Sequence, residues 1–191
     1  MKSGIRFWFS ALISILFLSP CARMEASEDM RLPEGLGKGT YLQRLERERR
    51  DTIQAMIGVV TAKERSVEEK VEAIRVLGLY RATEAIPILI ENITFSPYEF
   101  VKDLPSLDEL YPCVPALVSI GSPTSEALLD RIEEPASEIQ TKLLLQALCQ
   151  IETPEVARSK IEKRRNLVVE ADKKERLTRL LRGSFFSSPD K

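Results

Sequence analysis

No histidine occurs among the 191 residues, and that absence removes more chemistry than any other feature of the composition. Without imidazole there is no ordinary general base near neutral pH, no usual zinc ligand and no Ser/His or Cys/His nucleophile pair. An enzyme built on this chain would depend on carboxylates, lysine or tyrosine. Other signatures are missing as well: there is no G-x-S-x-G elbow, no glycine-rich phosphate loop and no CxxC pair. The formal charge of −1 supplies no broad attraction for nucleic acid or an anionic membrane. No catalytic constellation, metal site or cofactor is expected.

What is present is ordinary for a folded domain. Hydrophobic residues make up 43% and charged residues 30%, a globular balance, and the length is that of one domain. The N-terminus differs from the rest. Lys2 and Arg6 precede Phe7 to Leu18, a twelve-residue run without charge. That length suits a signal-peptide core and falls short of the roughly 20 residues of a spanning helix. Cleavage is expected after the small-residue pattern ending at Cys21 or near Ala26, and export follows. Residues 19–21 with Leu18 also resemble the lipobox of bacterial lipoproteins, whose cysteine, here Cys21, carries lipid. Pro20 stands where that pattern has glycine or alanine. Removal of residues 1–21 leaves 26 basic and 29 acidic residues, a net charge of −3.

Ser27 to Thr40 carries three glycines and a proline without apolar periodicity, which predicts a flexible lead-in. Leu42, Leu45, Ile53, Met56, Ile57 and Val60 then recur at helical spacing. Arg44, Arg47, Arg49 and Arg50 alternate with acids, so they read as a solvated face and not as a nucleic-acid stripe. Ser66 with Glu69 three residues on is a capping-box pattern opening a helix to about Arg81, with Val67, Val71, Ile74 and Leu77 as its buried stripe. Thr83 or Glu84 is expected to cap the next helix, whose stripe is Ile86, Leu89, Ile90 and Ile93. Pro87 fits its first turn, where a missing N–H costs little.

The same helix–turn–helix phrase recurs. Residues 77–89 (LGLYRATEAIPIL), 117–129 (LVSIGSPTSEALL) and 148–160 (LCQIETPEVARSK) begin 40 and 31 residues apart. Leu77, Gly78, Glu84, Ala85, Ile86, Pro87 and Leu89 in the first copy resemble the HEAT-like repeat, in the short form of the phycobilisome lyases. So do Leu117, Ile120, Gly121 and Pro123 in the second, and Leu148, Ile151 and Pro154 in the third, which has Glu152 where the pattern has glycine. The resemblance implies an all-α fold, a short right-handed α-solenoid of about three HEAT-like helix pairs with flanking N- and C-terminal helices. The expected organisation is residues 1–26 as signal peptide, 27–40 as linker, 41–182 as repeat domain and 183–191 as tail.

Spacing exposes an insertion. The first interval is nine residues longer than the second, and the excess lies in residues 94–112. Phe95, Tyr98, Phe100 and Tyr111 are half of the eight aromatics that follow Cys21. They are the candidate partner-binding residues, with a plug between unequal repeats as the alternative role. Glu99, Asp103, Asp108 and Glu109 in the same stretch read as a solvated acidic loop. Cys113 and Cys149 read as two separate buried thiols, because a one-repeat offset leaves them about 7.5 Å out of register along the helix. Asn92-Ile93-Thr94 has glycosylation spacing, but Asn92 reads more simply as a helix-terminal polar residue.

The pattern predicts a non-catalytic protein-binding or scaffold module, exported to the periplasm or secreted. Its membrane contact would be limited to the signal peptide or a lipid anchor. Two other functions compete: an enzyme-like accessory resembling bilin lyases, and a lipid-anchored envelope structural protein.

Overall fold

The computed structural model describes residues 38–98, 110–183 and 186. Outside the described residues lie Cys21, the expected signal peptide, Phe100, the acidic group at 99–109 and Phe185. The chain divides into two compact units, Met1–Arg44 and Leu45–Lys191. Of the first, the described part is the opening of helix α1.

The described residues are all-helical, with eight α-helices, two short 3-10 turns and no strand. Helix α1 spans Lys38–Thr61, so the expected lead-in is helical over its last three residues. Within α1, Ile53 and Val60 are buried while Leu42 and Leu45 are exposed. The apolar stripe therefore reaches the core only over its second half. Arg49 donates from Nη2 to the Tyr80 carbonyl at 3.0 Å and lies 3.9 Å from Glu84, which ties α1 to the turn after α2.

Helix α2, Val67–Leu79, begins on the capping box its sequence encodes. The Glu69 N–H donates to Ser66 Oγ at 3.2 Å and the Ser66 N–H donates to Glu69 Oε2 at 2.9 Å. It ends on a Schellman motif: the Arg81 and Ala82 N–H groups donate to the carbonyls of Gly78 and Leu77 at 2.9 and 3.0 Å. Arg81 sits at the left-handed position, with φ of 47°. Neither Thr83 nor Glu84 caps the helix that follows. A 3-10 turn, Thr83–Ala85, leads directly into α3, Ile86–Glu91, with Pro87 in its first turn as the sequence predicts. The 3-10 turn supplies a backbone acceptor instead, the Ile86 N–H donating to the Thr83 carbonyl. Asn92 closes α3, donating from Nδ2 to the Ile88 carbonyl at 2.9 Å.

The remaining helices are α4, Cys113–Ile120, and α5, Ser125–Glu133, joined by the 3-10 turn Ser122–Thr124. They are followed by α6, Glu138–Ile151, α7, Pro154–Leu167, and α8, Ala171–Arg182. Helix α4 packs against α2, α3 and α6, while α5 packs against α3, α6 and α8. Leu77, Leu117 and Leu148, which share one position in the recurring phrase, are each fully buried. Helix α8 lies along α7 and against α5, and buries Leu177 and Leu181.

Ion pairs lace this last region. Arg164 of α7 reaches Glu126 and Glu133 of α5, both at 3.3 Å, and also pairs with Asp130. Lys173 pairs with Glu134 at 2.5 Å and Glu170 at 3.1 Å. Those bonds hold the Glu134 carboxyl below the usual range and raise the lysine. Cys113 is fully buried and Cys149 half-buried, and both are free thiols, as their offset predicts. Burial raises the Cys113 thiol to about 12 and, with Glu155 nearby, the Cys149 thiol to about 11.

Candidate functional site

A groove opens between α2 and α4, and its floor follows from one missing side chain. Gly78 of α2 faces Ala116 of α4 so closely that a Cβ at position 78 would lie 2.9 Å from the Ala116 Cα. Such an approach needs glycine on one helix and a small residue on the other. Away from that contact a cleft of about 550 Å³ remains. Val67, Val71, Gly78 and Leu79 line it from α2, and Pro115, Ala116 and Ser119 from α4. Pro97, Tyr98 and Pro112, where the chain enters and leaves the insertion, close the end.

The lining is apolar with a charged rim. Val67 is 42% exposed, Leu79 67% and Tyr98 46%, so large apolar side chains stand open along the cleft. Glu72 and Arg75 form a two-point pair at 2.6 and 2.9 Å, which depresses the Glu72 carboxyl and raises the guanidinium. Glu68 is exposed, with no hydrogen-bond or ion-pair partner among the described residues. Among the described lining residues Glu68 is therefore the one unpaired carboxylate. Ser119 offers little, since its hydroxyl donates to the Pro115 carbonyl at 2.8 Å.

The insertion aromatics divide between two roles. Phe95 and Tyr111 pack, partly buried, against the core. Tyr98 points outward into the groove, on a turn in which its N–H donates to Ser96 Oγ at 3.3 Å. Core packing and the edge of the groove thus come from one segment. Val67, expected in the buried stripe of α2, lies on the groove flank instead. Val71, expected in the same stripe, is half-buried and also lines the groove, while Leu79, Pro112 and Pro115 were not singled out by sequence. The available signal was the apolar stripe itself: at about 100° per residue, Val67 and Val71 fall in the same sector as Ile74 and Gly78. Periodicity does not tell which part of that sector α4 covers along the axis.

No other cluster offers chemistry of its own. Ser125 Oγ donates to Glu152 Oε1 at 2.5 Å, and Lys160 Nζ lies 2.6 Å from the same oxygen. Ser125 is only 1% exposed, so its hydroxyl is closed off from solvent, and the Lys160 ammonium is paired with the carboxylate. Among the described residues no group of three or more acidic or cysteine side chains could hold a metal ion. No described helix is long and apolar enough to cross a membrane. Comparison with family models, with curated proteins and with solved structures found no match in any of the three.

Proposed function

We propose that the chain is an exported, non-catalytic binding or scaffold module of HEAT-like helix pairs, which receives its partner in the α2–α4 groove. The observation that carries this reading is the groove itself: about 550 Å³, lined by open apolar side chains and edged by Tyr98. Contiguous exposed apolar surface of this kind marks interaction sites. Burial of Leu77, Leu117 and Leu148 at one repeat position supports the right-handed solenoid arrangement. The uncharged run of residues 7–18 supports export, and a lipid at Cys21 would make the same module a membrane-anchored one.

Capture from a native extract tests the site. The double variant Leu79→Lys/Tyr98→Ala alters two exposed side chains, so its melting temperature should match the wild type while the captured partner is lost. Equal capture by both proteins would remove the groove from the function. Intact mass of the natively expressed protein tests export, with a mature chain expected to begin between Cys21 and Ser27. A diacylglyceryl increment on Cys21 would select the anchored form. The chromophore-holding accessory is the second reading, because the same volume suits a small apolar ligand. A bilin titration followed by visible absorption separates it from the first.

A further inference from the structure

The walls of the groove restrict what can lie in it. An extended peptide brings a row of backbone N–H and C=O groups that must be satisfied on binding. This cleft has little to satisfy them with. Its sides are helices whose amides beyond the first turn are spent internally, and Pro97, Pro112 and Pro115 have no N–H at all. No strand edge exists among the described residues. A helix carries its backbone bonds within itself, so it can enter such a cleft without leaving polar groups bare.

Length and charge agree with that choice. The cleft follows α2 from Val67 to Leu79, about 18 Å at 1.5 Å per residue, which a helix of about 12 residues matches. The rim charge is the unpartnered Glu68, since Glu72 is neutralised by Arg75. A complementary occupant has an apolar stripe with a basic residue on its flank. Resting on the proposed binding role of the groove, we infer that its occupant is an amphipathic, basic-flanked helix of a partner protein. It lies along α2, its stripe on Val67, Val71, Leu79 and Tyr98, and its lysine or arginine against Glu68.

Three labelled peptides of about 16 residues test this by fluorescence anisotropy with the full mature chain. One is alanine-based, with leucines at helical spacing and lysines on one flank. The second replaces those lysines by glutamates, and the third interrupts the first with two prolines. The first should bind saturably. The glutamate twin should bind at least about tenfold more weakly, and Glu68→Lys should invert that order. Leu79→Lys/Tyr98→Ala should remove binding of the first peptide while leaving the fold intact by circular dichroism.

If the proline-interrupted peptide binds as well as the first and is still lost in the double variant, the groove is a binding site but the helical occupant is wrong. If no peptide binds, or binding ignores the double variant, the groove reading falls with the inference. Two other occupants have their own signatures. A concentration-dependent dimer abolished by Leu79→Lys would assign the groove to a second copy. Peptide binding that appears only after a glycine-serine linker replaces residues 99–109 would assign it to that segment of this chain. Either result overturns the inference.

Discussion

Gly121 stands four residues past Leu117 and Glu152 four residues past Leu148, so the two mark the same point of the recurring phrase. Both leucines are fully buried, and both residues donate their N–H to the leucine carbonyl, at 3.1 and 2.9 Å. Beyond that the turns diverge. Gly121 takes φ of 85° and ψ of −148°, which only glycine adopts readily, and the chain passes through a 3-10 turn before α5. Glu152 takes φ of −111° and ψ of 73°, and the chain enters α7 directly, with Thr153 capping and Pro154 in the first turn. The glycine turn is closed from within, by its own torsions and by Thr124 Oγ1, which donates to the Leu117 carbonyl at 3.3 Å. The glutamate turn recruits a side chain, which accepts from Ser125 at the start of α5 and pairs with Lys160 of α7. A missing glycine is thus replaced by a bond to a neighbouring helix, and the later turn is held by tertiary contacts where the earlier one is held from within.

The largest effect tests the shared part of that comparison. Leu117→Ala and Leu148→Ala should each lose about 2 to 5 kcal/mol in chemical denaturation, because both leave a cavity under the turn. A loss below about 0.5 kcal/mol at either would show a surface site and separate the two turns altogether. Next comes Gly121→Ala. A Cβ there meets nothing within 4 Å, so its penalty of about 1 to 3 kcal/mol is purely conformational. A negligible change would mean that the turn relaxes to another geometry.

Glu152→Gln should cost about 1 to 2 kcal/mol at neutral pH, by weakening the bonds from Lys160 and Ser125. Its sign with pH is fixed by the lowered carboxyl, which the Lys160 bond and then the Ser125 bond stabilise in charged form. The stabilisation is fully present above the ordinary carboxylate range. It is lost as pH falls through the lowered folded value, so the gap between variant and wild type should close in acid. A gap independent of pH would assign the effect to shape and not to charge. The smallest effect comes from the first turn, where Arg81 holds the left-handed position at the same offset from Leu77. Arg81→Gly should raise stability, by about 0.5 to 1 kcal/mol in thermal unfolding, because glycine pays less there than a residue with a Cβ.

Features set by near neighbours were legible in the residues. The capping box at Ser66 and Glu69 and the proline in the first turn of α3 each depend on a few consecutive positions. Single helices followed from periodicity, the all-helical class from what the repeat resemblance implies, and the burial of Leu77, Leu117 and Leu148 from the recurring phrase. What escaped depends on distant positions. Nothing near Gly78 announces that Ala116 will lie against it. Periodicity gives the direction of an apolar stripe but not how much of it a neighbour covers, so Val67 and Leu42 look like core and stand open. The substitution of a tether for a glycine at Glu152 needed Ser125 and Lys160 in view. Tyr98 was singled out as a possible anchor, but its separation from Phe95 and Tyr111 was not, because alternation in a loop does not tell which ring turns inward.

The two thiols lie at different depths, and this turns the chain into its own instrument. It is the thiolate that attacks a disulfide reagent, expelling the reagent's leaving thiolate. Neither sulfur supplies much thiolate while the fold is closed, with Cys113 raised to about 12 and Cys149 to about 11. Cys149 is half-buried and needs only a local movement of α6 to react, whereas Cys113 must wait for α4 to leave its neighbours. Labelling times at the two sulfurs therefore read fraying and full opening in one sample, without an engineered cysteine.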